Sequence, residues 1–594
     1  MTRWFIKNSY EKAKKLREKS QLPLFDCMLL ANRGIEEAGE ARDFLSPSLD
    51  QLHDPFLFED MPLVVDYILN SLDSSIPIQI IGDYDQDGVA ATAILVSGIR
   101  KLAKKMGQDP FQAVSYAIPN RVKDGYGINE RLVDQAIEEG AGLIITCDNG
   151  ISAFEALDHA QKKGIPLIVT DHHQLVEENG KEIIPPCEAF LNPHSKSTAY
   201  PFKDLCGAGV ALKVIEALYQ EAGIEKIDLE PLIALASLGT ICDLVPLYGE
   251  NRVIAYYGLK ILNENPSPGI QALLSLAGYH GKVTAYTVGF IIGPCINASG
   301  RLMTARLGVE LFLEEDPDLL QAYASELVKL NNERKEMTRK GSEEALQLVQ
   351  KNPSPGHILA LYLPGVHESL CGLIAGRIKD RYYLPTLVFT DGLEEEGEPL
   401  LKGSGRSIES YNMYQELARQ REEYVHFGGH AMACGMTIRK KDFSRLQALW
   451  NQDARLEEED LIPKILLDGS LGLSLITAER METIEKMEPF GIQNPRPIFG
   501  AKNLNVLKMR LVGEKKNVLQ ILMEEKGTII QGVVFQPEAQ LKTLEDALGK
   551  GRLDQLLQGL PIPLKVDICY SPEWNEYRGQ RKLQLRIRDF RPTA

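Results

Sequence analysis

The chain has 594 residues, 44% of them hydrophobic and 25% charged, the balance of a globular protein with several cores. A net charge of −16 argues against a general polyanion binder. No apolar run reaches the roughly 18 residues of a membrane-spanning helix, and the start MTRWFIKNSYEKAKKLREK lacks the apolar stretch of a secretory signal.

In chain order, residues 1–55 read as a helical segment with a break near Leu45-Ser46-Pro47-Ser48. From about 56 to 250, short Ile- and Val-rich runs (IPIQIIGDYD, AGLIITCDNG, GIPLIVTDHH) each end in polar residues. Helical patterns such as GVAATAILVSGIRKLAKKMG and NERLVDQAIEEG lie between them. Apolar strands alternating with helices predict βαβ units and a parallel sheet covered on both faces, hence an α/β class. Residues 316–350 predict one long polar helix. Asn352-Pro353-Ser354-Pro355-Gly356 then punctuates the chain, and a second α/β pattern (HILALYLPG, YLPTLVFTD) runs to about 450. The tail (NVLQILMEE, GTIIQGVVF, PLKVDICY, RKLQLRIRDF) predicts short strands in a small barrel or sandwich. From 501 to 594, 16 Lys and Arg face 11 Asp and Glu, a local surplus of 5 on an acidic chain. The nine cysteines are scattered without a C-x-x-C pair, which argues for reduced thiols in a cytoplasm and against a zinc-finger or disulfide framework.

Acidic residues gather at the strand ends. Asp83, Asp85 and Asp87 follow the first strand, Asp148 the second, and Asp171, His172 and His173 the third; Asp243 lies in the apolar ALASLGTICDLVPL. One Asp after a strand is more often a helix N-cap or a turn residue. Six Asp and two His converging on one sheet edge repel too strongly for that reading, and a divalent cation is the natural compensation. Mixed carboxylate and imidazole ligands suit Mn²⁺ or Mg²⁺.

GDYDQDGVAATAIL, IITCDNGISA, IVTDHHQ and SLGTICDLVPL resemble the four motifs of the DHH phosphoesterase superfamily. Within it the chain resembles the RecJ family of single-strand-specific exonucleases, through YAIPNRVKDGYGI, FLNPH, GPCINASGRL, GSGRS, FGGHAMACGMTI and PFGIQNPRPIF. The resemblance implies an N-terminal helical segment (1–55), a parallel-sheet DHH domain (56–315), a connecting helix (316–352), a DHH-associated α/β domain (353–455) and an OB-fold β-barrel that binds nucleic acid (463–594). It implies a 5′→3′ exonuclease of single-stranded DNA in recombination and repair, using two ions of Mn²⁺ or Mg²⁺. Asp148 would bridge the ions; Asp87, His172 and Asp243 would complete one site, and Asp83 and Asp85 would serve the other, either of them reaching the metal directly. His173 would face the scissile phosphate, and Asp171 would orient the histidines. Arg121, Ser404 and Arg406 would hold the 5′ phosphate. Tyr126 would stack on a base. Asn297, Arg301, Gly428, Gly429 and His430 would meet the strand, while Cys295 stands where a larger basic residue is expected. Lys508, Arg510, Lys515, Lys516, Arg578, Arg581 and Lys582 are basic candidates on the barrel. A single-strand-binding protein and a RecQ-type helicase are the implied partners, with a monomeric state. The rivals are a DHH phosphoesterase of short substrates, set aside because those chains lack the barrel, and a scaffold with a degenerate core, set aside because every motif acid and His is present.

Overall fold

A computed structural model describes residues 2–121, 123–351, 356–394, 397–513, 516–577 and 580–593. The break at 352–355 and the candidates Lys515 and Arg578 lie outside them. The chain divides into two compact units, one holding residues 4–297, 305–321 and 465–594, the other residues 1–3, 298–304 and 322–464.

The larger unit is built on a five-stranded sheet. Its strands, in spatial order Val114–Ala117, Ile78–Ile81, Leu143–Cys147, Leu167–Thr170 and Ala189–Leu191, are all parallel. The three central strands are fully buried, as the apolar runs predict for a sheet covered on both faces. The first strand has the second on one side and the third on the other, so the order reverses there. Crevices beyond the carboxyl ends of strands form at such reversals. Helix Gln86–Lys105 leaves the first strand, and helices Gly207–Glu221 and Glu230–Cys242 pack beside it.

The tail closes into a barrel. Strands Phe499–Val512, Val518–Glu525, Thr528–Phe535, Gln580–Pro592 and Lys565–Tyr577 follow one another, and the last pairs back onto the first. Two helices that the tail's strand pattern did not announce, Glu538–Leu548 and Lys550–Leu557, interrupt the strands. The N-terminal segment also differs from expectation. It begins with a strand, Arg3–Ile6, paired with Lys464–Leu467. Its helices Tyr10–Ser20 and Leu24–Ala31 share one apolar core with the barrel, where Leu16, Leu29 and Leu30 join Met481, Phe499 and Tyr570. Phe25 stacks on Phe499 at 5.8 Å. Arg252, buried, donates to the carbonyls of Phe44, Lys486, Met487 and Glu488 and lies 3.8 Å from the Phe44 ring centroid. A buried guanidinium is tolerated when its donors are all met.

Helix Pro317–Lys351 has 35 residues, close to the expected span. The second α/β pattern forms a mixed sheet in the order His426–His430, Ala433–Arg439, Leu400–Arg406, Thr386–Asp391 and Leu359–Tyr362. Only the last pair is parallel. Helix Cys371–Tyr382 packs on strands Thr386–Asp391 and Leu400–Arg406.

Candidate functional site

Loops leaving three parallel strands and the end of one helix bring the predicted acids and His172 together. Three groups place one ligand atom per residue within 4.8 Å of one another: Asp83, Asp85 and Asp148; Asp87, His172 and Asp243; and Asp148, His172 and His173. His172 Nε2 lies 3.1 Å from Asp148 Oδ1, 3.8 Å from Asp87 Oδ2 and 3.7 Å from Asp243 Oδ2. Asp148 sits in the left-handed region at φ 61°, as does Leu244, the residue after Asp243. Strained backbone of this kind collects where a site must hold a side chain in one direction.

Each acid is fixed by its element. Asp85 caps helix Gln86–Lys105, its Oδ1 accepting from the N–H groups of Asp87 and Gly88 at 2.9 and 3.1 Å. Asp87 reaches the start of helix Gly207–Glu221, accepting from the Gly207 and Ala208 N–H groups at 2.7 and 3.0 Å. A helix N-terminus stabilises negative charge there. Asp171 stands apart from the three groups. Its Oδ1 accepts from the His172 and His173 N–H groups and from His173 Nδ1 at 2.8 Å, and its Oδ2 from Ile151 N–H. Asp171 thus hydrogen-bonds the backbone of both histidines and the ring of His173.

The electrostatics call for a cation. Oδ1 of Asp83 and Oδ1 of Asp148 are buried without a hydrogen-bond partner among the described residues. Burial and Asp85 push the Asp83 carboxyl up to about 8. Burial, Asp87 and Asp85 do the same to Asp243, also to about 8. Asp148 is driven well above the usual carboxylate range, by burial first and then by Asp87. Buried acids that repel one another and keep oxygens without a hydrogen bond fit divalent ions. Burial lowers the His172 pKa and favours the neutral ring that ligates metal. Burial also opposes charge on His173, but its hydrogen bond to Asp171 and the nearby acids outweigh this and raise it to about 9. These surroundings favour the protonated ring.

The other predicted residues of this unit surround the acids. Tyr126 donates to the Asp148 carbonyl at 2.8 Å and lies 3.2 Å from His173 Nδ1, with 49% of its surface exposed. Its hydroxyl is therefore committed, a contact the base-stacking expectation did not include. Arg121 lies over the Tyr84 ring at 4.9 Å, and Tyr84 meets Tyr126 edge-on. Asn297 accepts from Gln86 N–H at 2.8 Å, so its amide oxygen steadies the first turn after Asp85. Cys295 is buried.

The remaining candidates belong to the second unit. Ser404 and Arg406 lie on strand Leu400–Arg406, with Arg406 Nη1 3.3 Å from Ser404 Oγ. A Cβ on Gly372, at the start of helix Cys371–Tyr382, would stand 2.7 Å from Arg406 Nη2 and 2.9 Å from Ser404 Oγ. A helix start, a guanidinium and a hydroxyl thus lie together, groups whose donors suit an anion; no sequence signal singled out Gly372. Arg301 donates to the Ser369 carbonyl at 2.6 Å. Gly429, at φ 146°, lies in the hairpin of His426–His430 and Ala433–Arg439, where a Cβ would meet the Ala433 carbonyl at 2.4 Å. Gly428 has open space beside it, and His430 is exposed.

No sequence signal marks Gly207 or Gly239 either. A Cβ on Gly207 would stand 2.5 Å from the Asp148 Cβ, and one on Gly239 would stand 2.2 Å from Asp87 Oδ1. Both let a helix approach the acids closely.

Three family models match the chain: the DHH family N-terminal domain over residues 77–240, the DHHA1 domain over 356–455 and the RecJ OB domain over 467–589. Single-stranded-DNA-specific exonuclease RecJ of Bacillus subtilis is 34% identical over 99% of this chain and 70% of its own length. That of Haemophilus influenzae is 34% identical over 96% of this chain and 97% of its own length. The crystal structure of Thermus thermophilus RecJ in complex with Mn²⁺ superposes with a TM-score of 0.77 at 24% identity, covering 99% of this chain and 79% of that one. With its acids gathered at the sheet's reversal point and its barrel closed, the chain belongs to the RecJ family of single-stranded-DNA-specific exonucleases.

Proposed function

We propose that the chain hydrolyses single-stranded DNA from a 5′ end, releasing mononucleotides, with two ions of Mn²⁺ or Mg²⁺. The observation that carries this reading is the pair of buried oxygens, Asp83 Oδ1 and Asp148 Oδ1, that accept no hydrogen bond among the described residues and stand among Asp85, Asp87, His172 and Asp243. Asp148, in two of the three groups, would be shared between the ions. Asp87, His172 and Asp243 would hold one, and Asp83 with Asp85 the other. Two such ions would polarise the scissile phosphate and make water a better nucleophile. Crystal structures of Thermus thermophilus RecJ in complex with Mn²⁺ and with Mg²⁺ support the choice of metals.

The chain's own groups supply the rest. His173 gives Nδ1–H to Asp171, which leaves Nε2–H to donate to a phosphate oxygen as charge develops. Tyr126 holds that ring from the side, and burial and Asp148 keep its phenol protonated. Cleavage breaks the P–O3′ bond of the terminal nucleotide and leaves a new 5′ phosphate, so each product end is again a substrate. Ser404, Arg406 and the start of helix Cys371–Tyr382 have the donors to hold that phosphate; Arg121, Asn297, Arg301, Gly428, Gly429 and His430 would meet the strand around it. Lys508, Arg510, Lys516, Arg581 and Lys582 would serve the strand farther along. The finer readings (a single-strand-binding protein and a RecQ-type helicase as partners, a monomer, a cytoplasmic location) rest on the family resemblance. None of the described helices is long and apolar enough to cross a membrane.

The test uses strands labelled at the 5′ or the 3′ end, with and without Mn²⁺. The 5′ label should leave first, as a mononucleotide, and only with metal. Early loss of the 3′ label, or cleavage confined to dinucleotides, would refute the reading.

A further inference from the structure

The larger unit has a cavity of about 880 Å³, lined by helix Gly249–Glu264, residues 282–286, residues 482–490 and the barrel strand Gln580–Pro592. None of the acids or histidines described above lines it. We propose that this cavity is a binding site for a phosphorylated nucleoside, either one unit of a single strand passing over the barrel or a free nucleotide.

The volume falls within the range of small-ligand sites. Two independent features point to this ligand. The first is charge without partners. Arg586 and Arg588 alternate along the barrel strand, so they share its outer face. Among the described residues neither guanidinium has an ion pair or a hydrogen bond; Arg586 only lies over the Phe535 ring at 5.4 Å. Lys260 and Lys282 also line the cavity and are likewise unpaired. The glutamates Glu485 and Glu488 in the lining are already held by Arg581 and Arg496. Glu264, Glu482 and Glu573 remain, fewer than the cations facing them. Burial and the adjacent Arg586 lower the Arg588 pKa, and Glu573 offsets this only in part. A phosphate supplies the balancing charge, with geometry suited to two guanidinium forks.

The second feature is an aromatic platform at the rim. Tyr286 lines the cavity and stacks on Phe290 at 4.6 Å and 22°. Both rings are open to solvent, at 59% and 65% exposure. The π-helical turn Val288–Ile292 carries Phe290 outward, and such turns recur at functional sites. Exposed stacked rings beside unpaired cations suit a base with its phosphate. The strand alternative rests on the function proposed above; the free-nucleotide alternative does not.

The test is made on the full chain in EDTA, so binding is read without turnover and independently of whether the chain cleaves DNA. Arg586→Gln with Arg588→Gln is compared with the parent for affinity to a short and a long 5′-phosphorylated oligothymidylate, and to dAMP by calorimetry. If the site carries the strand, the variant loses about tenfold in long-strand affinity while the short strand binds as before. Its salt slope also flattens by about 1.4, the value for two phosphate contacts on a single strand. If the site takes a free nucleotide, dAMP binding disappears and both strands bind unchanged. Tyr286→Ala should weaken whichever ligand the double variant loses. Unchanged affinity for all three ligands in variants with the parent's melting temperature overturns the proposal. Should the double variant lose its melting transition, Lys260→Gln with Lys282→Gln, both on exposed side chains, gives the same readings.

Discussion

Gly239→Ala probes how closely the helices must approach the acids. The added Cβ would stand 2.2 Å from Asp87 Oδ1 and 2.7 Å from the Ala208 Cβ. Carbon contacts are normally about 3.5 Å or more, so one partner must shift by about 1 Å. Asp87 cannot shift freely, because the Gly207 and Ala208 N–H groups hold its two oxygens. Overpacking of this kind costs about 1–3 kcal/mol, a fall of a few degrees in melting temperature. Misplacing a reacting group by about 1 Å costs about 10²-fold in rate. Nucleotide release in Mn²⁺ is the assay, with thermal melting alongside. Adding Ala208→Gly removes the Cβ–Cβ clash but not the one with Asp87, so it should recover stability and leave turnover low. Parent-like turnover and melting in Gly239→Ala would show that the acids tolerate displacement and would refute the reasoning.

Asp148→Asn should abolish nucleotide release while leaving strand binding intact, and should raise the melting temperature of the metal-free protein by removing one of several crowded charges; a lower metal-free melting temperature with retained turnover would remove Asp148 from the shared position. Arg406→Ala should cut the preference for a 5′ phosphate over a 5′ hydroxyl by about tenfold or more, and Arg406→Lys should restore little of it, because the fork of donors is lost; competition between the two ends measures this. Asp83 and Asp243 have folded pKa values near 8, above the unfolded carboxylate value. Their contribution to metal-free stability is therefore full in acid below the unfolded pKa and is lost as pH rises through about 8. Mn²⁺ replaces the lost protons, so its stabilising effect on melting should grow from about pH 5 to about pH 8.5; a metal-induced gain in melting temperature independent of pH would contradict the placement of these acids.

The acids were legible in the sequence because each follows a short apolar strand or closes an apolar helix, where an unpaired carboxylate is costly. The long helix and the two α/β patterns were legible for the same reason, continuous periodicity. Strands Val114–Ala117 and Ala189–Leu191 were not, since VSYA and AFL lack the continuous Ile- and Val-rich run of the central strands. Gly207, Gly239 and Gly372 left no trace in a single sequence, because a glycine's service to a neighbour depends on which element the fold brings beside it. The shared core of the N-terminal helices and the barrel was hidden too: an apolar helix face does not name its partner.

That shared core shapes how the chain is made. Arg33 hydrogen-bonds Asn494, a partner 461 positions later. At about 5–20 residues per second, the first helices leave the ribosome roughly half a minute to a minute and a half before the residues that cover them. During synthesis those oily faces are bait for chaperones. A truncation that stops short of the barrel leaves them bare for good, so a shortened chain that clumps would report unburied helices rather than the loss of a DNA grip.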